Sequence, residues 1–218
     1  MTAKEKLDEV QAGLTQFLKP LGFRKSSRNY NRTEEEGIVQ VINLQAGMYE
    51  IGPPLPAPVQ YWRPNLYRQF TVNIGVWVSD LEMAEPKGSR PKFLNEARCS
   101  IRTRLSNLAG HPDLWWSLDE PKEKILKDII GLLERDGLPF LEAFSTREKI
   151  IAEWVQFNES KITLTNRSRL DVGIMLATAG RQSEAVNLLE GYLRAVVHKG
   201  HYEYVHELAK RLGLTLHV

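Results

Sequence analysis

Residues 69–79 read Gln-Phe-Thr-Val-Asn-Ile-Gly-Val-Trp-Val-Ser, and this alternating segment is the most informative one about the architecture of the chain. Apolar residues at every second position fit an extended strand, whose side chains alternate between two faces, and they fit a helix poorly. One face is predicted to lie on a hydrophobic core and consists of Phe70, Val72, Ile74, Val76 and Val78. The other face is expected to be half-buried and partly polar, and consists of Thr71, Asn73, Gly75 and Trp77.

Three further strands are predicted around this one. Residues 23–32 are unusually polar, which is typical of a sheet edge, and they place three arginines on one face, namely Arg24, Arg28 and Arg32. Residues 38–45 are apolar on both faces and are predicted to form a central strand, joined to the first by a short turn. Residues 98–105 alternate between an inward face with Cys99, Ile101 and Leu105 and an outward face with Arg98, Arg102 and Arg104.

Helices and strands occupy separate blocks of the chain. An amphipathic helix comes first, begun by a capping box of Thr2 and Glu5, and about five helices follow the last strand. This order predicts an α+β fold with an N-terminal helix, a four-stranded mainly antiparallel sheet and an all-helical C-terminal part. Residues 1–145 are assigned to an α+β domain, and residues 146–218 to a helical tail packed on it. The proline-rich residues 52–64 are predicted to form a long extended loop.

The composition is that of an ordinary globular protein. The chain has 218 residues, of which 42% are hydrophobic and 26% charged, and its net charge of +2 argues against a dedicated nucleic-acid binder. Cys99 is the single cysteine, so no internal disulfide can form, and a lone thiol fits a reducing compartment. The first residues lack the apolar core of a signal peptide, and no apolar run approaches the roughly 20 residues of a membrane-spanning helix. We therefore expect a cytoplasmic protein.

No catalytic motif is recognisable in the sequence. The chain lacks a Gly-x-Ser-x-Gly nucleophile elbow and a glycine loop with phosphate-binding spacing. Cys99 is predicted to be a buried structural thiol, because free cysteine is among the most buried residue types. His198, His201 and His206 could ligate a metal, but solvated helix ends explain them better, because no cysteine or acidic residue completes a ligand set. We predict no catalytic residue, no metal and no cofactor.

Six residues are candidates for binding, namely Asn43, Gln45, Asn73, Trp77, Arg102 and Trp62. The three amides lie on adjacent strands, and they form either a ligand pocket or a buried hydrogen-bond network that fixes the strand register, with the network slightly favoured. Arginine together with tryptophan and tyrosine is typical of protein interfaces and also of nucleic-acid-binding surfaces. Charged edge strands that prevent aggregation are the simplest explanation of the arginines, followed by protein binding and then by nucleic-acid binding.

Short segments in a fixed order resemble a known family. They are Leu18-Lys-Pro-Leu-Gly-Phe23, Val41-Ile-Asn-Leu-Gln45, Phe70-Thr-Val-Asn-Ile-Gly75, Arg104-Leu-Ser-Asn-Leu108 with the Trp115-Trp116 pair, and Leu133-Glu-Arg-Asp-Gly-Leu-Pro-Phe140. Over about the first 145 residues, the chain resembles domain-of-unknown-function family 4304, which is found mostly in bacteria. The resemblance implies no activity, substrate or catalytic residue. The tail segment Leu176-Ala-Thr-Ala-Gly-Arg-Gln-Ser-Glu-Ala185 is similar to a tetratricopeptide-type helical hairpin, and a single hairpin is too short for a free-standing array.

The leading hypothesis is a non-enzymatic cytoplasmic protein-binding module that regulates or neutralises a partner protein. On this hypothesis, substitution of Trp77 and Arg102 weakens partner binding without unfolding the chain. The alternative is a small-ligand-binding protein or an enzyme that uses the region of Asn43, Gln45, Asn73 and Arg102, and it requires a concave pocket there. The third hypothesis is nucleic-acid binding through the arginine-rich strands.

Overall fold

A computed structural model describes residues 1–48, 65–84, 91–156, 167–195 and 198–218 of the chain. Trp62 and the predicted proline-rich loop lie outside these ranges. The described residues form an antiparallel sheet with helices packed on one of its faces. Within the described ranges, no helix combines the length and the apolar character that crossing a membrane requires.

The sheet has six strands, which are β1 (Arg24–Ser26), β2 (Asn29–Glu35), β3 (Ile38–Ala46), β4 (Gln69–Val78), β5 (Ile101–Arg104) and β6 (Trp116–Ser117). Strands β1 to β5 lie side by side in that order, β6 pairs with the start of β4, and every pairing is antiparallel. The alternating stretch is therefore a central strand with neighbours along both of its edges.

The α-helices of the described residues are α1 (Ala3–Leu18), α2 (Ser79–Ala84), α3 (Leu105–Leu108), α4 (Lys122–Leu132), α5 (Leu138–Ala143), α6 (Arg147–Gln156), α7 (Arg167–Thr178), α8 (Gln182–Ala195) and α9 (Lys199–Arg211), and a π-helical turn at Leu133–Gly137 joins α4 to α5. The predicted α+β class is confirmed, with one helix before the sheet and a helical C-terminal part after it, but the sheet has six strands instead of the predicted four, and the short helices α2 and α3 lie between its strands. The predicted capping box of α1 is present, because the Thr2 N–H donates to the Glu5 carboxylate at 2.7 Å and the Glu5 N–H donates to the Thr2 hydroxyl at 3.2 Å.

The predicted first strand is a hairpin of two strands, β1 and β2. The chain reverses at Ser27, whose φ of 50° lies in the left-handed region. Two-residue hairpin turns favour glycine, asparagine or aspartate at their central positions, and Ser27 and Arg28 carry no such signal. The three arginines predicted on one face are consequently separated. Arg24 faces outward on β1, Arg28 lies in the turn, and Arg32 lies on the core side of β2.

Strand β4 is buried on both faces. The face predicted to lie on the core is confirmed, since all five of its residues are 0% exposed. The other face was expected to be half-buried, but Thr71 is 0%, Asn73 6% and Trp77 2% exposed, so this expectation is wrong. Trp77 belongs to a second, smaller cluster, whose other members are Val39, Val41, Leu94 and Cys99. Leu94 and Cys99 come from the irregular segment before β5, which the alternation within β4 cannot predict.

Cys99 is buried as predicted, but it lies on the opposite side of the sheet from Ile101. The predicted alternation fails there because β5 begins only at Ile101 and is preceded by a 3₁₀ turn at Glu96–Arg98. Arg98 lies in that turn and forms an ion pair with Glu82, so it does not share the outer face of β5 with the other two arginines.

The C-terminal helices include the predicted helical hairpin. Helices α7 and α8 pack together around a turn at Gly180, whose φ is 77°. Gly173 lets α8 approach closely, because a Cβ at this position would lie 2.6 Å from the Cδ2 atom of Leu189. Helix α2, which follows β4, contacts α7, and the buried side chains Leu170 and Met175 of α7 belong to the same hydrophobic cluster as the core face of β4.

Replacing Gly75 with alanine is expected to destabilise the protein by about 1–3 kcal/mol, the usual cost of overpacking. A Cβ at Gly75 would lie 2.7 Å from the Cβ atom of Cys99 and 2.9 Å from the carbonyl oxygen of Ile101. Gly131 of α4 is the matched control, because nothing lies within 4 Å of its added Cβ. Gly131→Ala is expected to stabilise the protein by about 0.5–1 kcal/mol through helix propensity. Urea unfolding measures both changes, and an unchanged free energy of unfolding for Gly75→Ala would contradict the close approach.

Candidate functional site

A groove opens beside the start of β4 and the end of β5, with a volume of about 1020 Å³. Its walls come from three parts of the chain, namely Leu66 and Gln69, Arg104 at the end of β5, and residues 110–115. The groove is therefore formed where the sheet meets the loop that connects α3 to β6. It is the concave surface of the described residues that we consider as a binding site.

The loop of residues 110–115 is anchored to the sheet by hydrogen bonds. Helix α3 is followed by a turn at Gly110, whose φ is 77°, and the His111 N–H donates to the Ser106 carbonyl at 2.9 Å. The Thr71 hydroxyl of β4 donates to the Leu114 carbonyl at 3.2 Å. The loop backbone is thus attached at both ends, while the side chains of residues 111–114 remain exposed.

Arg104 is the positively charged residue of the groove. Its guanidinium lies over the Trp115 ring, 5.4 Å from the ring centroid, and forms an ion pair with Asp113. The side chain of Arg104 is 30% exposed and that of Asp113 81% exposed. A guanidinium between an aromatic ring and a carboxylate is oriented from two sides while it stays accessible to solvent.

Arg104 ends a row of polar residues that crosses the sheet. Asn29, Asn43, Asn73 and Arg104 lie directly opposite one another on β2, β3, β4 and β5. The Asn43 amide donates to the Asn29 side-chain oxygen at 2.9 Å, and the Asn73 amide donates to the side-chain oxygens of Asn43 at 3.3 Å and Gln45 at 2.9 Å. The structure thus brings the three predicted amides together, and their hydrogen bonds are made largely to one another. That arrangement fits a network that fixes strand register.

The remaining predicted binding residues have different surroundings. Arg102 is exposed on the outer face of β5, opposite Gly75, and its side chain lies 3.4 Å from the Glu96 carboxylate. Trp77 does not reach the surface, because the segment before β5 covers it. Trp62 lies outside the described residues. Of these three side chains, Arg102 is the one that the structure shows to be accessible to a partner.

The three histidines of the C-terminal region have separate surroundings. His201 hydrogen-bonds the Tyr192 hydroxyl and stacks on Tyr204, with ring centroids 5.8 Å apart. His206 lies against Tyr202 at 4.6 Å, and His198 is exposed just before α9. Among the described residues, no three potential metal ligands of the histidine, cysteine, aspartate or glutamate type come together.

Sequence reasoning missed Asp113, Leu114 and Trp115 as site residues. The Trp115-Trp116 pair was the available signal, because neighbouring residues of an extended segment point to opposite sides. Trp116 faces the core and packs on Phe70, with ring centroids 5.9 Å apart. Trp115 therefore points away from the core, where it meets Arg104.

Comparison with known families gives one finding. A family model described as "Domain of unknown function (DUF4304)" matches residues 14–52 and 60–143, which together make up more than half of the chain. The residues that line the groove all fall within the second matched segment. No curated protein and no solved structure matches the chain.

Proposed function

Because the chain belongs to the domain-of-unknown-function family DUF4304, whose description names no activity, we propose a function on the basis of the residues and shape of the groove. The protein is a non-enzymatic binding module of the bacterial cytoplasm, and it regulates a partner protein that docks on this groove. The exposed apolar side chains beside the groove are the observation that supports this proposal.

Exposed apolar side chains are concentrated around the groove. Among the described residues, the large hydrophobic side chains that stay exposed are Met1, Met48, Tyr67 and Leu114. Leu114 and Tyr67, each 37% exposed, lie in or next to the groove wall. Met48 is 83% exposed and follows Gly47, whose N–H donates to the carbonyl of the wall residue Gln69 at 2.8 Å. Single exposed apolar residues are common, but a cluster beside a concave surface is typical of a docking site.

Arg104 and Trp115 supply the chemistry that interfaces favour. Tryptophan, tyrosine and arginine are enriched among the residues that carry most of the binding energy at protein interfaces. Both side chains are partly exposed and already in contact with each other, so little conformational entropy is lost when a partner covers them. This preorganisation supports docking on the groove as the module's function.

A second candidate is the binding of a small anionic ligand in the same groove. It is favoured by the concave shape and by the polar wall residues Arg104, Gln69 and His111. The amides of Asn43 and Asn73 support it less, because they bond to their neighbours in the sheet. A thermal-shift screen with carboxylate and phosphate metabolites tests this candidate, and a shift lost in Arg104→Gln would favour it over protein docking.

The proposed function is tested by recovery of a partner from lysate of the source organism after nuclease treatment. The wild-type chain is expected to retain one protein in stoichiometric amount, and the double variant Arg104→Ala, Trp115→Ala is expected to lose it. Arg194→Ala is the matched control, because this arginine is exposed on α8, far along the chain from the groove. Docking on the groove would be contradicted if the partner is no longer recovered after nuclease treatment. It would also be contradicted if the wild-type chain, the double variant and Arg194→Ala recover equal amounts.

With the recovered partner purified, Trp115→Ala is expected to weaken binding by about 2 kcal/mol, the threshold for a residue that dominates an interface. The physical reason is loss of the ring that supports the Arg104 guanidinium and contributes apolar contact area. Isothermal titration calorimetry measures the dissociation constant, and urea unfolding verifies that the variant is folded. An unchanged dissociation constant would place the interface elsewhere on the molecule.

A further inference from the structure

The groove already contains a carboxylate that belongs to the chain itself. Asp113 forms an ion pair with Arg104, although the Asp113 side chain is 81% exposed. Its backbone has a φ of 59°, a left-handed conformation that aspartate and asparagine tolerate better than most residues. The chain therefore places an acidic side chain on the groove's arginine from a solvent-exposed loop.

This ion pair is one that a competing carboxylate can replace. Exposed ion pairs contribute little to stability because water screens both charges. The Trp115 ring holds the Arg104 guanidinium from a second direction, so the cation keeps its orientation when Asp113 moves away. A carboxylate from another molecule can then form the same pair without rearranging the sheet.

A second arginine lies beside the first on the same face. Arg102 precedes Arg104 by two residues on β5, and its side chain is 53% exposed. Strands β1 to β5 of the described residues pair with one another, and some of the paired residues point away from the helices. None of these outward-facing residues is an aspartate or a glutamate. The carboxylates that meet these two arginines come instead from flanking segments, namely Glu96 and Asp113. The outer face of β5 thus presents two positive charges and no negative one.

We propose that Arg102 and Arg104 recognise two carboxylates, two residues apart, in an extended segment of a partner protein, and that Asp113 occupies the Arg104 position until this segment displaces it. The inference rests on the proposed function, since it names the chemistry of a partner that meets Arg104 in the groove and Arg102 beside it on β5. Residues two apart in extended chain lie about 7 Å apart on one face, which is also the spacing of the two arginines along β5. Leu114, which lines the groove with Arg104, and Tyr67, which follows the wall residue Leu66, are exposed and available for apolar side chains of the segment.

The first test selects random dodecapeptides displayed on phage against the immobilised full chain and, separately, against Arg104→Gln. Peptides selected on the wild-type chain are expected to be enriched in two acidic residues separated by one residue, and this enrichment is expected to be absent on the variant. Enriched peptides without the acidic pair, or no enrichment, would overturn the inference. The lysate experiment is a separate test. If the double variant loses the partner but the selected peptides lack the acidic pair, the proposed function stands and the recognition of two carboxylates is rejected.

The second test isolates Asp113 as an internal competitor. The substitution Asp113→Asn removes the charge and introduces a residue type that also tolerates the left-handed backbone. By fluorescence anisotropy, the selected acidic peptide is expected to bind Asp113→Asn about two- to fivefold more tightly than the wild-type chain, and Arg104→Gln at least roughly tenfold more weakly. Added salt is expected to reduce both differences.

The exposed Asp128 of α4 provides the control, because Asp128→Asn removes an equal charge on the helical layer, away from the groove. This variant is expected to bind the peptide as the wild-type chain does. Equal or weaker binding to Asp113→Asn than to Asp128→Asn would overturn the role of Asp113. Undiminished binding to Arg104→Gln, with a normal urea transition, would overturn recognition by the arginine.

Discussion

Replacing Arg147 with alanine is expected to lower the free energy of unfolding by about 3–5 kcal/mol, the range observed when one partner of a buried ion pair is removed. Arg147 begins α6 and binds Asp80 through two nitrogens, at 2.8 and 3.1 Å. It also donates to the Glu35 carboxylate at 2.5 Å and to the Glu36 carbonyl at 2.7 Å. One side chain therefore joins the β2–β3 turn, the start of α2 and the start of α6.

The cost of this substitution comes chiefly from the carboxylate that it leaves behind. Asp80 is 6% exposed, so without Arg147 its charge is poorly solvated. The same hydrogen bonds to Asp80 hold the pKa of the Arg147 guanidinium above its ordinary value. The double variant Arg147→Ala, Asp80→Asn is expected to recover part of the lost stability, since it no longer buries an unpaired charge.

Urea unfolding followed by circular dichroism measures these differences. Arg194→Ala is the matched control, because the Arg194 side chain is 66% exposed and its partner Glu190 keeps a second hydrogen bond, from the His217 N–H at 2.9 Å. This control is expected to change stability by less than about 1 kcal/mol. A similar loss for Arg147→Ala and Arg194→Ala would show that the Arg147 contacts do not join the parts of the fold as described.

Replacing Trp77 with alanine is expected to destabilise the protein by about 3–5 kcal/mol, the usual cost of removing a large buried aromatic side chain. Trp77 is 2% exposed and packs with Val39, Val41, Leu94 and Cys99 on the outer side of the sheet. The cluster is small, so the neighbouring side chains cannot fill the space that the indole leaves. This expected result reverses the expectation from sequence that a Trp77 substitution acts on partner binding and spares the fold.

Trp115→Ala provides the matched comparison for Trp77→Ala, because it makes the same chemical change at a partly exposed ring. Its destabilisation is expected to stay below about 1.5 kcal/mol, since partly exposed side chains contribute less burial. Thermal and urea unfolding of the two variants measure the contrast. If Trp77→Ala were the milder of the two, Trp77 would not be buried in the way that the structure places it.

The site was only partly predictable from the sequence. The alternation of β3 and β4 was sufficient to place Asn43 and Asn73 on adjacent strands and to suggest that their side chains meet. The alternation of residues 98–105 identified Arg102 and Arg104 as outward-facing, and the structure confirms that orientation. The groove itself was not predictable, because its other wall is the loop of residues 110–115, and a loop has no periodicity from which its path can be inferred.

Three features follow from the amino-acid sequence alone, namely the α+β class, the capping box of α1 and the core face of β4. These features depend on local patterns. The spacing of apolar residues indicates which side of a strand or helix is buried, and the spacing of Thr2 and Glu5 indicates where α1 begins. Two other features become evident only in the folded chain: the second face of β4 is covered, and Asp113 reaches Arg104. Both depend on where an irregular segment returns to the sheet, and that path is set by packing between residues distant along the chain.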